Sequence, residues 1–160
     1  MKSEDAFERK IKTIATNKKA FHDFFISSRI EAGIVLQGTE VKSLREGKCS
    51  IKEAYAGFKK KDDNELYIIN MHIPEYKHGN RENHLPTRDR KLLLHYREAA
   101  KIRSQLQEKG FTLIPLEIYF SGHLVKVELG LAKAKKNYDK RETTKKKEAE
   151  REIQKNLKYN

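Results

Sequence analysis

Residues 111–132 read FTLIPLEIYFSGHLVKVELGLA, two strand-like runs at 111–120 and 124–132 joined by the turn formers SGH. Two strands alone bury too little to persist in water, so the chain must supply neighbours for them. It does. In IEAGIVLQ (30–37), Ile30, Ala32, Ile34 and Leu36 alternate with Glu31, Gly33, Val35 and Gln37, the period of a strand with one buried face. IKEAYAGF (51–58) and LYIINMHI (66–73) add two more candidates, with KKDDNE as the turn between them. Pro115 inside its run implies an edge position, a bulge or a strand break. Ordered chain is expected from FHDFFIS (21–27) onward. Residues 1–16, whose apolar side chains Phe7, Ile11 and Ile14 stand alone, are expected to form a flexible leader.

Two helical patterns interrupt the strands. Thr39 can cap TEVKSLRE (39–46), where Val41 and Leu44 share a face and Gly47 supplies the stop. Over 90–109, Leu92, Tyr96, Ala99, Ile102 and Leu106 recur at three- and four-residue spacing before Gly110. Many short strands with one covering helix predict a mainly β fold, a small closed barrel like the oligonucleotide/oligosaccharide-binding (OB) fold, with peripheral helices and a basic C-terminal tail. An open α+β sheet is the alternative, and strand order cannot be read from this pattern. The barrel is expected over 17–132 and the tail over 133–160.

Charge points to a partner. The net charge is +12, and residues 131–160 alone hold 11 Lys and Arg against 5 Asp and Glu, half of the excess in under a fifth of the chain. That distribution favours a polyanion as partner. A membrane surface fits poorly, because the tail has few bulky apolar anchors and is interspersed with acids. The single cysteine, Cys49, suits a reducing cytosol. MKSEDAFERK places acidic residues where a secretory signal needs an apolar run. A cytoplasmic chain is expected.

Catalytic and metal chemistry find no support. His72, His78 and His84 are evenly spaced, yet Pro74 and the Gly79–Asn80 pair break the segment between them. Asp62 and Asp63 suit a turn. His22 and Asp23, read as neighbours on a strand, would point to opposite faces. No nucleophile-elbow, zinc-helix, P-loop or dinucleotide motif occurs. The chain is therefore expected to be no enzyme and to need no metal or cofactor.

Four basic clusters remain: NKKAFH (17–22), EVKSLR (40–45), RDRKLLLHYR (88–97) and AKAKKNYDKR (132–141). Lysines can track phosphates, arginines fork onto them, and Tyr138 can stack on a base. Arg88, Arg90 and Lys91 would stand at a helix N-terminus, where the dipole disfavours cations, so another reason must place them there. Three consecutive leucines, 92–94, cannot all face one helical stripe. Glu31 would serve as an acceptor for a base or ribose hydroxyl, or join a cross-strand ion pair.

The segments EAGIVLQGTEVKSLREGKCSIKEAY, HLPTRDRKLLLHYRE, KGFTLIPLEIYF and VKVELGLAKAKKNYDKR closely resemble the small protein B family, the SsrA-binding proteins of bacteria, from about Asn17 to Arg141. The resemblance implies an OB-like barrel that binds the tRNA-like domain of transfer-messenger RNA (tmRNA). It further implies an adaptor that helps that RNA enter stalled ribosomes, indirectly with the elongation factor that delivers it. By the same resemblance Asn17, Glu31, Leu92 and Lys126 fall on RNA-binding positions, with Lys18, Lys19, Arg88, Arg90 and Lys91 as neighbours. Tyr138, Asp139, Lys140 and Arg141 look like the family's decoding-centre segment, which contacts small-subunit ribosomal RNA, and Lys133, Lys135 and Lys136 lead into it. The tail beyond, with Ile153 and Leu157 on a thin apolar stripe, is implied to be disordered when free and helical in the ribosome's empty message channel. Ala134 stands where the family commonly has glycine. A monomer is expected.

Overall fold

The computed structural model describes residues 10–158. The two long runs form β6 (Phe111–Ser121) and β7 (Leu124–Ala134), paired antiparallel along their whole length. Around them lie β1 (Ile11–Thr16), β2 (Phe24–Ile34), β3 (Tyr55–Phe58), β4 (Leu66–Ile69) and β5 (Arg90–Leu93). All pairings are antiparallel, in the order β1-β6-β3-β4-β5-β2-β7, with β6 also paired to β7. The α-helices among the described residues are peripheral: α1 (Lys18–Asp23), α2 (Gly38–Arg45), α3 (Tyr96–Leu106) and α4 (Asn137–Lys158). The 22 residues of α4 bring helix close to parity with strand, so the expected mainly β class becomes a mixed one, an OB-like antiparallel sheet with peripheral helices.

Several local outcomes follow from side-chain chemistry. Pro115 sits at a bulge, where the register of β6 against β7 shifts between Pro115 and Glu117, so its missing N–H costs no ladder bond. Opposite that stretch, a Cβ on Gly130 would lie 2.9 Å from Leu116 Cδ1, so the buried side chain of β6 needs a glycine there. Gly47, at φ +75°, ends α2 by the left-handed turn that glycine adopts freely. The start of α2 differs from expectation. Glu40 reaches back 2.8 Å to the N–H of Gln37, while the Thr39 hydroxyl is engaged with His84 Nδ1 at 2.9 Å.

The core gathers Leu44, Ile68, Met71, Ile73, Leu92, Leu113, Ile118, Val127 and Leu129 inside the sheet. A smaller cluster of Ala20, Ile114, Leu116 and Ala132 lies under α1, with Phe21, Phe24 and Ile26 packed against it. Cys49 is half-buried at the edge of the main core. Burial pushes its thiol up to about 12, against the opposing pull of Arg90, so it stays protonated at neutral pH.

Two boundaries need correction. Residues 11–16, expected in the leader, form β1 paired with residues 117–121 of β6, and residues 1–9 of that leader lie outside the described residues. The helix expected over 90–109 begins only at Tyr96, because Arg90–Leu93 pair with β4 and β2 instead. With period two, Leu92 turns inward, 3% exposed, and Leu93 outward, 52% exposed, which resolves the three leucines.

Arg103 of α3 holds the β3–β4 turn. Its guanidinium donates to the carbonyls of Lys60 at 2.9 Å, Lys61 at 3.0 Å and Asp63, and to Asn64 Oδ1 at 3.0 Å, and it lies 4.3 Å from the Phe58 ring centroid. Arg103→Ala is expected to cost about 1–3 kcal/mol, since several charge-assisted bonds and one cation–π contact go together. Hydrogen exchange of residues 59–65 should accelerate more than that of β6; uniform acceleration would show that the arginine does not act on this turn.

Candidate nucleic-acid interface

Strand register builds a four-strand row on the outer sheet face. Tyr119 (β6) stands opposite Lys126 (β7), Lys126 opposite Gly33 (β2), and Gly33 opposite Leu93 (β5). Gly33 has no Cβ to hold Leu93 away; one built there would lie 3.3 Å from Leu93 Cβ. Val35 continues the same face of β2, and its N–H reaches the Lys91 carbonyl at 2.9 Å. Val35, Leu93 and Tyr96 are exposed apolar side chains, Leu93 and Tyr96 line one groove, and Lys126, two strands from Leu93 in the row, forms no ion pair among the described residues.

One step along the strands lies a row of carboxylates, Glu117, Glu128 and Glu31, directly opposite one another. Like charges in register repel, and each has its own relief. Thr13 donates to Glu117 at 2.6 Å, Arg29 to Glu128 at 3.2 Å, and the Tyr119 hydroxyl to Glu31. Burial and the hydrogen bond to Glu31 raise the Tyr119 hydroxyl well above the usual tyrosine value, so it remains a donor at neutral pH. Among the described residues Glu31 is thus in no ion pair. It is an exposed carboxylate with accepting capacity left over.

The structure therefore brings Glu31 and Lys126 onto one face and adds Leu93, Val35 and Tyr96, which sequence reasoning passed over. The signal for Leu93 was the alternation in RKLLL, masked by the helical spacing that follows it. Other expected contacts are placed elsewhere. Leu92 is a core residue, and Arg90 is fully buried, donating to Glu40, Met71 O at 2.7 Å, Arg88 O at 3.1 Å and Pro86 O at 3.0 Å. Both are corrected from surface contacts to interior positions, because inward-facing residues of β5 alternate with Lys91 and Leu93. Asn17 is likewise buried. Its Oδ1 caps α1 at Ala20 N, 3.2 Å, and its Nδ2 donates to Pro115 O at 3.0 Å, joining α1 to β6.

Arg88 points inward too, with Nε 3.0 Å from Glu40 Oε1. Glu40 is thus a fully buried carboxylate between two arginines. Burial alone would raise its pKa. Bonds from Arg88, the Gln37 N–H and Arg90 outweigh this and hold it below the usual glutamate value. These cations stand on a strand and on the segment leading into it, where no helix dipole opposes them. Lys91 pairs with Glu65 at 3.0 Å and Lys19 with Glu53 at 3.3 Å, both at the surface, while Lys18 is exposed on α1.

The base of the tail is joined to α1. His22 and Asp23 end α1 rather than lying on a strand, and their side chains meet, Nδ1 to Oδ1 at 2.9 Å. That hydrogen bond, ahead of Lys140 at 3.8 Å, lowers the Asp23 pKa despite partial burial. His22 Nε2 lies 3.1 Å from Thr144 Oγ1, and Lys135 Nζ donates to Phe21 O at 3.2 Å and Thr143 Oγ1 at 2.9 Å. Lys133 lies over the Phe111 ring at 5.7 Å. Lys136, Tyr138 and Arg141 are exposed, and the Asp139 carboxylate accepts from the Lys136 N–H at 3.3 Å. Ala134 pairs with Phe24 as the last residue of β7, so no glycine-specific conformation is needed there. Ile153 and Leu157 are exposed on α4, which buries no residue.

Among the described residues no group of three or more His, Cys, Asp or Glu is placed to hold a metal, and no helix is long and apolar enough to cross a membrane. His84, one of the evenly spaced histidines, is buried between Thr39 and the Ile73 carbonyl.

Relatives carry the same pattern across nearly their whole length. The SsrA-binding protein of Geobacter sulfurreducens is 54% identical over 142 residues, 89% of this chain and 91% of that one. That of Geobacillus thermodenitrificans is 54% identical over 143 residues, covering 89% and 90%, and that of Acetivibrio thermocellus 54% over 149, covering 93% and 95%. A chain in a solved structure described as "tmRNA-SmpB: a journey to the center of the bacterial ribosome" matches with a TM-score of 0.65 and 43% identity, over 81% of this chain and 93% of that one. The family model for the SmpB protein matches residues 14–159, from β1 to beyond the end of α4. Sheet face and tail both fall inside that match, and the chain belongs to the SmpB family.

Proposed function

We propose that the chain is a non-enzymatic RNA-binding adaptor of trans-translation, which binds the tRNA-like domain of tmRNA and brings it to stalled ribosomes for tagging of the nascent chain. The observation that carries this reading is the 43% identity to a chain from a structure described as tmRNA–SmpB, over 81% of the sequence. The outer sheet face supports it. Glu31 offers an acceptor to a base edge or ribose hydroxyl, Lys126 a cation to a phosphate, and Leu93 with Tyr96 an apolar and aromatic surface for an unstacked base. Lys18 and Lys19 extend the positive surface along α1. Asn17, Arg90 and Leu92 act from inside, by fixing α1 and β5.

The finer readings belong to the same proposal. The order β6-β3-β4-β5-β2-β7 together with the β6–β7 pairing supports a closed barrel over 17–132. The YDKR turn of α4, with Tyr138 and Arg141 exposed, meets ribosomal RNA at the decoding centre. Residues 142–158 order against the message channel, because a helix that buries nothing draws little stability from its own chain. The partners are tmRNA, the ribosome and, through the RNA, the elongation factor. The compartment is the cytoplasm.

Binding to the tRNA-like domain should exceed binding to ordinary transfer RNA at near-physiological salt, and equal affinity would reduce the chain to a general structured-RNA chaperone. Two neighbouring leucines sharpen the test. Leu93→Ala should leave stability within about 0.5 kcal/mol yet weaken binding to the tRNA-like domain about tenfold, the loss of one stacked base. Leu92→Ala should cost about 2–5 kcal/mol of stability. The reverse pattern would place the RNA elsewhere.

A further inference from the structure

Away from the sheet face, α2 and residues 76–82 enclose an open cleft of about 950 Å3. It is lined by Lys42, His78 and Arg81, with Glu82 the single acid, and shares no lining residue with α1, β7 or α4. Its walls are fixed from behind. Asn83 closes the loop by accepting from Tyr76 N at 2.9 Å and donating to Tyr76 O at 2.8 Å, and Gly79 N donates to the same carbonyl at 2.9 Å. On the opposite wall, Ser43 of α2 donates to Pro74 O at 2.8 Å, and Glu40 ties the helix to Arg88 and Arg90.

The groups that face outward are cations and planar rings. Lys42 Nζ lies 5.4 Å from the Tyr76 ring centroid, and the His78 ring meets that of Tyr76 edge to face, also at 5.4 Å. Lys42, Lys77, His78 and Arg81 are all exposed. Lys19, Lys48, Lys59 and Lys91 each sit on a carboxylate, whereas Lys42, Lys77 and Arg81 form no ion pair among the described residues. Cations left unpaired on a wall that carries one acid, Glu82, give a net positive potential, and a concave site concentrates it. A flat, polarisable imidazole beside two such cations suits one nucleotide, base and phosphate together. The convex backbone of a duplex would touch only the rim.

We infer that this cleft is a further RNA-binding surface, separate from the sheet face and from the tail, taking an unpaired nucleotide with its phosphate on Lys42 and Arg81 and its base against His78. This goes beyond the proposed recognition of the tRNA-like domain. It would let one chain hold a single-stranded segment in the cleft while the sheet face is occupied.

The test uses the full chain and two probes, an unstructured oligouridylate and the tRNA-like domain of tmRNA, each titrated over a range of salt. For Lys42→Ala/Arg81→Ala, oligouridylate affinity should fall about tenfold at low salt. The slope of log affinity against log salt should become shallower by about 1.4, two phosphates at ~0.7 each. Affinity for the tRNA-like domain should stay within about twofold. The charge-preserving Lys42→Arg/Arg81→Lys variant should bind both probes as the parent does. Unchanged oligouridylate binding and slope would overturn the inference. Equal loss for both probes would merge the cleft with the sheet surface and overturn it as well, as would a polyglutamate peptide that displaces oligouridylate as effectively as unlabelled RNA does. Failure of the adaptor reading is distinct, because it appears in the parent chain's own binding to the tRNA-like domain.

Discussion

Glu40→Gln is expected to destabilise the chain by about 3–5 kcal/mol, because it strips the counter-charge from Arg90, which has no exposed surface, and from Arg88 beside it. For a domain of this size the melting temperature should fall on the order of 10 °C. Arg90 cannot relieve the loss by giving up its proton at neutral pH. The pH dependence supplies an independent check. The folded-state pKa of Glu40 lies below its unfolded value near 4.5, so its contribution is fully present above that value and is lost as pH falls through the folded pKa. Parent and variant should differ most at neutral pH and converge in acid. A constant difference down to low pH would mean that the carboxylate's charge does not hold α2 to the segment before β5. Glu40→Leu with Arg90→Met should recover part of the loss, since an apolar replacement of a whole buried pair is often tolerated.

The second large effect concerns the tail. A chain ending at Lys136 should bind the tRNA-like domain within about threefold of the full chain and support no peptide tagging on message-free ribosomes. Normal tagging by that truncation would remove α4 from the mechanism. The cut must fall after β7. Ala132 is fully buried and pairs with both Ile26 and Thr112, so ending the chain at Leu131 would also strip the last turn of β7 from β2 and β6. Loss of activity in that shorter chain would report damage to the sheet as readily as loss of the tail.

The strands that announce themselves by alternation, β6, β7 and the second half of β2, stand where the sequence places them. Gly47 and Pro115 also act as their chemistry dictates. The failures share a cause. Strand β1 has four exposed residues of six, so its sequence carries no alternating apolar signal; its ladder with β6 defines it. Arg90–Leu93 adjoin a real helical pattern and were absorbed into it, although three leucines in a row and cations at a supposed helix start both argued against that reading. The Glu40–Arg88–Arg90 cluster joins residues some fifty positions apart, and charge patterning within short windows cannot see it. The outward position of Leu93 was hidden locally instead, by the helical spacing that follows it. The resemblance singles out Glu31 and Lys126, whereas their place on one sheet face is a matter of register.

The join between α1 and the base of α4 has a mechanical consequence. Among the described residues Thr143 and Thr144 are the last of the tail bonded to the body, by Lys135 and His22, so the remaining 14 residues to Lys158 extend about 21 Å as an arm with no such bond. Pivoting such an arm by about 10° would sweep its tip by roughly 4 Å, more than the axial rise of two helical residues. Whatever loosens His22 from Thr144 is therefore magnified at Ile153 and Leu157. The bearing for that motion is the end of α1, the short helix whose other end is fastened to β6 by Asn17.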